Sequence, residues 1–334
     1  MRRWIVESFG DPADVWRLDE AAEEFEPGTG QVKVEVESAG LGLPDVLMCN
    51  NNYPLTPPLP FTPSQEAAGK IVAVGENVDG GLIGSRVLGP TLFQAQRGGL
   101  AQYCLMQATS ALPIPNEMTG IEAAGFYIPY QTAWVALVQR AKITADDTVL
   151  ILGASGSSGA AALQLAKAKG ARVIAVAGGP EKSSFCASLG ADVVIDRKQQ
   201  DVTTTVLEAT DGNGVSLVFD PVGGKAGRAA FKALGFEGRF LIIGYASGEW
   251  AHIELVETLM KNISLLGAMP VGYSPQQVLA AHEDLLGLWR EGFLKVADPQ
   301  VFDFGDARAA IEHIAAGKVE GKVVINLQDG ANAN

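Results

Sequence analysis

From Thr148 to Ile243 the chain alternates short apolar runs with helical segments. Thr148-Val149-Leu150-Ile151-Leu152, Arg172 to Val176, Val193 to Ile195, Val215 to Phe219 and Arg239 to Ile243 read as strands. Ser158 to Lys169, Pro180 to Leu189 and Asp201 to Ala209 read as helices between them. Gly170 stops the first helix; Pro180 opens the second and Gly190 follows it, the usual chemistry of helix ends. Strands this apolar must be covered on both faces. Strand and helix in strict turn therefore predict a parallel sheet with helices on each side, a doubly wound α/β domain.

The loop Gly153-Ala154-Ser155-Gly156-Ser157-Ser158-Gly159 joins the first of these strands to the first helix. The spacing is G-x-x-G-x-x-G rather than the commoner G-x-G-x-x-G, but its strand-loop-helix setting makes it a dinucleotide-binding turn of Rossmann type. Glycine lets the backbone turn tightly and approach a diphosphate. The helix N-terminus adds free N–H groups and partial positive charge. Ser155, Gly156, Ser157 and Ser158 are the expected phosphate contacts. A site that takes the ribose hydroxyls of NAD places a carboxylate at the end of the second strand. Here that strand runs into Val176-Ala177-Gly178-Gly179-Pro180 with no carboxylate. Lys182 lies just beyond it and Arg197 follows the third strand, so Gly178, Lys182 and Arg197 are expected around a 2′-phosphate, which makes NADPH the cofactor. Ile243, Gly244 and Tyr245 sit at the C-terminal end of the fifth strand, where open α/β sheets bind ligands; Tyr245 either covers the nicotinamide or packs.

The net charge of −13 argues against nucleic acid or an anionic membrane as a partner. No apolar run reaches the roughly 20 residues of a membrane span, and the start carries no signal-peptide pattern, so the expected compartment is the cytoplasm. Cys49, Cys104 and Cys186 form no C-x-x-C pair and are expected as buried thiols. The segment before about 115 is β-rich, with Gln31 to Glu37, Lys70 to Gly75 and Ala101 to Met106 as strands and a proline-punctuated loop over 54–63. Helical text follows from Glu122 to about Ala141. After about 270 come helices over 275–290 and 306–316, a strand over 322–327 and a short low-complexity tail, Gly330 to Asn334.

Several blocks in order carry a resemblance. They are Pro44-Asp45-Val46-Leu47 with Tyr53-Pro54, Pro57 to Pro63, Glu66-Ala67-Ala68-Gly69 and Ile128-Pro129-Tyr130-Gln131-Thr132-Ala133-Trp134. The Gly153 loop follows, then Asp220-Pro221-Val222-Gly223-Gly224, Gly238 through Gly244, Lys261 to Ser264 and Gly321-Lys322-Val323-Val324. Over nearly its whole length the chain resembles the zinc-independent quinone oxidoreductases (zeta-crystallin-like) of the medium-chain dehydrogenase/reductase superfamily. The resemblance implies a GroES-like domain from residues 1–122 and 268–334, with the Rossmann domain, 123–267, inserted between them and the reaction in the cleft that they form. It also implies a homodimer or homotetramer, with the strand near Ser264-Leu265-Leu266-Gly267 as an inter-subunit edge.

Gly42 and Gln65 match the Cys and His positions that bind catalytic zinc in zinc-dependent relatives, and neither offers a good ligand. Metal is therefore not expected, nor are His252, His282 and His313 expected as ligands. Without a Lewis acid the acceptor must already be electrophilic, which points to a quinone or an α,β-unsaturated carbonyl. By resemblance, Tyr53 is the candidate donor or proton source, unless it packs against the proline stretch. Tyr130 (with the substrate) and Thr132 (with the cofactor) line the nicotinamide pocket. Glu66 is expected to pair with a cation. Many relatives carry asparagine where this chain has Gly42, which removes a donor. An enoyl-thioester reductase and a non-enzymatic NADPH-binding protein are the alternative readings.

Overall fold

Strands Val193–Asp196, Arg172–Ala177, Thr148–Ile151, Val215–Asp220, Leu234–Ile242 and Ser264–Gly267 lie side by side in that order, all parallel, in the computed structural model, which describes residues 1–328. The tail Gly330 to Asn334 lies outside the described residues. In chain order this is the 3-2-1-4-5-6 arrangement of a doubly wound sheet. Helices Ser157–Ala168, Pro180–Ser188, Val202–Ala209 and Gly224–Lys232 connect the strands. Leu150, Ile174, Val218 and Phe240 are fully buried or nearly so in the core. Each such side chain stabilises by roughly 1.5–3 kcal/mol, so the sheet is held mainly by what it hides from water.

The chain divides into two compact units. One is Pro129–Ala297, which contains this sheet. It extends past the boundary expected at 267 because helix Pro275–Arg290 is fastened inside it. Trp134 Nε1 donates to Asp284 at 2.7 Å, and Gln131 Nε2 to the Val278 carbonyl at 3.5 Å.

The other unit joins Met1–Ile128 to the segment from Asp298 onward, so the two ends of the chain share one domain. Its main sheet runs Gln300–Asp303, Val323–Asn326, Gln31–Leu41, Glu66–Val74, Arg86–Pro90 and Leu112–Pro113, with Tyr103–Gln107 also paired to Gln31–Leu41. The C-terminal strand enters by antiparallel pairing, Val323 opposite Leu41 and Asn326 opposite Ser38. This is the GroES-like architecture implied by the resemblance. The helix read over 122–141 is an α-helix, Gly120–Trp134, that continues as a π-helical segment, Val135–Arg140. Helix Leu43–Cys49 and helix Gly224–Lys232 lack a long apolar periodicity and were not visible in the sequence pattern. No helix among the described residues is long and apolar enough to cross a membrane.

Trp4 shows how the two ends are held. It is 5% exposed, and its Nε1 donates to the Phe304 carbonyl at 2.7 Å. Trp4→Phe keeps most of the buried surface but leaves that carbonyl without its donor. It should lower stability by about 1–3 kcal/mol, read as a shift in the urea unfolding midpoint. An unchanged midpoint would mean that the bond does not hold the C-terminal segment.

Candidate functional site

In the Pro129–Ala297 unit, Gly153 takes a left-handed conformation, φ +56°, and turns the chain out of the first strand. Gly156 caps the following helix without a side-chain hydrogen bond, so the first N–H groups of this 12-residue helix have no capping side chain. Gly159 is the closest approach. A Cβ there would lie 2.3 Å from the Gly153 carbonyl oxygen and 2.8 Å from the Ala154 Cα. Ser155 is buried, and Ser157 and Ser158 form the first turn, half-buried. Backbone donors, a positive helix end and hydroxyls are thus gathered where a diphosphate fits.

The second strand ends on a shelf without side chains. At Gly178 a Cβ would lie 3.2 Å from both Nε and a terminal nitrogen of Arg197. At Gly179, φ +99°, it would lie 3.5 Å from Lys198 Nζ. Lys182 is half-buried in the next helix, Pro180–Ser188. Arg197 and Lys198 are exposed and flank the shelf. Lys198 was missed in the sequence, although it stands next to Arg197. So was Asp196, a carboxylate of the third strand that does reach the turn. One of its oxygens accepts the Gly179 N–H at 2.8 Å and the Lys198 N–H at 3.0 Å, and these bonds hold its carboxyl below the usual range. Through this oxygen the carboxylate ties the shelf to the chain that carries the two cations.

Ile243 and Gly244 donate their N–H groups to the Asp220 carbonyl. Ile243 lines a pocket of about 420 Å³ at the C-terminal ends of the last two strands, together with Arg140, Trp250, Met269 and Tyr273. Tyr245 packs on Trp250, ring centroids 4.5 Å apart, so it sits beside this pocket. Arg140, Met269 and Tyr273 carried no signal in the sequence. Thr132 is buried in its helix. Tyr130 is 2% exposed, and its hydroxyl donates to the Lys295 carbonyl at 2.5 Å while Gln164 donates to it at 3.1 Å. Burial pushes the Tyr130 phenol well up. Its hydroxyl is therefore committed within the unit, a structural use that the expected substrate contact did not include.

The other unit carries a separate polar cluster. Glu66 is 1% exposed. It accepts a short hydrogen bond from Lys322 Nζ at one oxygen and the Ile128 N–H at 2.7 Å at the other. Lys322 is thus the cation expected for Glu66. Asp45 accepts the Gly42 N–H at 3.0 Å and the Ser64 N–H at 2.9 Å. Gly42 is half-buried, and a Cβ there would stand 3.9 Å from Lys322 Nζ. Gln65 donates to the Met48 sulfur at 3.8 Å. Tyr53 is half-buried and packs with Leu55 and Leu59 against the core of this unit. Among the described residues no three His, Cys, Asp or Glu side chains stand together as a metal site. His252 pairs with Glu254, His282 is buried and His313 packs on Phe302. The three cysteines are buried and form no disulfide.

Comparison with known proteins extends this picture. Residues 28–134 match the model of the alcohol dehydrogenase GroES-like domain, and residues 159–284 match that of the zinc-binding dehydrogenases. The chain is 34% identical over 308 residues to a quinone oxidoreductase-like protein 2 homolog of Nematostella vectensis, covering 90% of this chain and 83% of that protein. It is 31% identical over 307 residues to a phenolphthiocerol/phthiocerol polyketide synthase component of Mycobacterium tuberculosis, covering 90% of this chain and 14% of that one. The solved structure of Escherichia coli quinone oxidoreductase complexed with NADPH superimposes with a TM-score of 0.89 at 25% identity, covering 98% of this chain and 100% of that one.

Burial pushes the Asp45 carboxyl up to about 6, with Glu66 adding to the rise and the Gly42 and Ser64 N–H bonds and Lys322 opposing it. The folded protein therefore holds this proton more tightly than the unfolded chain, whose value is near 3.8. The resulting stability is full below that value and is lost as pH rises through about 6. At about 1.36 kcal/mol per pH unit, the window carries about 3 kcal/mol. The stability of the wild type relative to Asp45→Asn should rise by that order between about pH 7 and pH 4, measured by denaturant unfolding at each pH. A pH-independent difference would show that Asp45 does not titrate in this window.

Proposed function

This chain belongs to the quinone oxidoreductase family of the medium-chain dehydrogenase/reductase superfamily, and from that premise we propose that it is an NADPH-dependent reductase of quinones or α,β-unsaturated carbonyl compounds. It is an oxidoreductase whose cofactor, when bound, supplies the hydride. The observation that carries the reading is the Gly178–Gly179 shelf with Arg197 and Lys198 beside it. Two glycines leave room for a 2′-phosphate, and two cations stand ready to receive it, with Lys182 on the next helix.

The residues divide the work. Gly156, Ser157 and Ser158, with Ser155 behind them, hold the diphosphate on the helix N-terminus, and Gly159 keeps the backbone close enough for those contacts. Ile243, Gly244, Tyr245 and Thr132 shape the nicotinamide end. Tyr130 contributes its ring rather than its hydroxyl, which Lys295 and Gln164 already engage. Tyr53 is the proposed proton source for the reduced acceptor. Orientation and charge, rather than a metal, are the contributions asked of the protein.

A second reading, reduction of an enoyl thioester, is supported by the likeness to the solved structure of CurK enoyl reductase, 27% identical with a TM-score of 0.84. The absence of a dense basic cluster in the sequence favours smaller acceptors. A homodimer or homotetramer is the proposed assembly. Strand Ser264–Gly267 closes one edge of the parallel sheet, and the nearby Leu255, Leu259 and Met260 are exposed. The proposed compartment is the cytoplasm.

Purified protein should oxidise NADPH in the presence of at least one member of a panel of 1,2- and 1,4-quinones, enones and enoyl thioesters, without added metal. Arg197→Ala should raise KM for NADPH about tenfold or more and leave KM for NADH within about twofold, because only NADPH presents the phosphate. Tight NADPH binding with no turnover on any acceptor would instead favour a non-enzymatic binding protein.

A further inference from the structure

Two lysines are buried in the unit that joins the chain ends, and they differ in how their charge is met. Lys33 Nζ lies 3.1 Å from a Glu24 oxygen and 4.0 Å from a Glu26 oxygen, with the Tyr103 ring 4.5 Å and the Phe25 ring 5.7 Å away. It is surrounded by partners. The Lys322 side chain is only 7% exposed, and among the described residues its ammonium donates to Glu66 alone. Asp45, whose oxygens accept the Gly42 and Ser64 N–H groups, attracts Lys322 by charge without accepting a hydrogen bond from it. An ammonium has three donors. Two of them are left without an acceptor among the described residues, in a place shielded from water, where a charged donor acts most strongly.

The surroundings keep that ammonium in place. Glu66 is clamped by the Ile128 N–H on its far oxygen. Gly40 makes room for the carboxylate, since a Cβ there would overlap Glu66 Cγ and Oε1 at 2.8 Å. Gly42 is half-buried and has no side chain, and the position of its missing Cβ is within 3.9 Å of Lys322 Nζ. The backbone at Gly42 is extended, φ −156° and ψ −179°, so glycine is not needed there for conformation. What it provides is the lack of a side chain beside a buried cation, with Pro44 Cδ 3.4 Å and Lys322 Nζ 3.9 Å from where a Cβ would stand.

We propose that the Lys322 ammonium, anchored by Glu66 and reached through the space at Gly42, is the donor that holds the acceptor's carbonyl oxygen as negative charge develops on it. This rests on the reductase reading above. The substrate class is then a carbonyl compound whose oxygen becomes an oxyanion on reduction, a quinone or an enone, narrow enough to pass Gly42. Lys322 contributes hydrogen bonds and charge and keeps its proton. The proton that completes the product comes from another group or from water.

The test uses the full chain without cofactor, with 4-nitrophenol as the probe. Its phenolate resembles the developing oxyanion, and its visible absorbance reports ionisation. The wild type should bind the phenolate in preference to the phenol and move the ionisation of the bound probe about one pH unit lower, a tenfold preference. Lys322→Met should weaken phenolate binding about tenfold or more and abolish the ionisation shift, and Lys322→Arg should retain part of it. Because Lys322→Met leaves Glu66 buried without its cation, Gly42→Val is the second variant. It keeps the ion pair and fills the space, and should lose phenolate binding and reduce kcat about tenfold while KM for NADPH stays unchanged. A wild type that causes no ionisation shift, or a Gly42→Val protein that binds the phenolate as the wild type does, overturns the proposal. Failure of the reductase reading is seen separately, as no NADPH oxidation by the wild type with any acceptor.

Discussion

Inside the unit that joins the chain ends, the Glu66 carboxylate meets the Lys322 ammonium across 256 residues of sequence. Both are almost fully buried, and each is tolerable there only because of the other. Removing one partner of such a pair typically costs about 3–5 kcal/mol, since a lone charge is left without water. The pair therefore demands that the C-terminal strand Val323–Asn326 lie against Gln31–Leu41 in one register, because a shift of one residue would turn Lys322 away from Glu66. Residues Pro129–Ala297, which lie between the two segments, form the other compact unit.

Around that pair the structure spends several features on keeping polar groups satisfied. Gly40 leaves the volume that Glu66 fills, and Ile128 supplies an N–H to its second oxygen. Asp45 gathers the amides of Gly42 and Ser64, which ties helix Leu43–Cys49 to the loop before strand Glu66–Val74. Tyr127, beside this cluster, has its phenol pushed up to about 12 by burial and by the Glu66 charge. It stays protonated at any ordinary pH. In the other unit charge is handled in the opposite way. Arg197 and Lys198 remain exposed, and Asp196 fixes the turn that presents them by bonding to backbone amides. Exposed cations are hydrated and ready for an anion, whereas a buried cation must be matched from within.

The parts that could be read from the sequence are those with a local cause. Between Thr148 and Ile243 the five strands and three of the helices follow from apolar runs, helix caps and glycine stops, whereas helix Gly224–Lys232 has no such signal and the fifth strand begins at Leu234 rather than Arg239. The glycine loop was legible for the same reason, since a tight turn between strand and helix needs glycine at fixed offsets. Arg197 was found because it follows a strand end directly. Lys198 was passed over because a second cation beside a first adds nothing to a one-dimensional pattern. Asp196 lies one residue past the apolar run Val193 to Ile195, and nothing local says that its carboxylate reaches back to Gly179. Tyr130 looked like a pocket residue, but its hydroxyl is taken by Lys295, which is 165 residues away in the chain.

By itself, then, the sequence determined the alternating sheet, the dinucleotide turn, the absence of a carboxylate at the end of the second strand and the lack of ligand atoms at Gly42 and Gln65. These depend on residue type and short spacing, which a linear reading preserves. Only the tertiary structure decided which side chains answer one another: Lys322 with Glu66, Asp45 with Gly42 and Ser64, Gln164 and Lys295 with Tyr130. Burial makes those partnerships obligatory, because a polar group taken out of water must find its partner wherever the fold brings one, however distant in the chain. The space at Gly42 belongs to the same class. Its glycine is visible in the sequence, but the ammonium beside it is visible only in the fold.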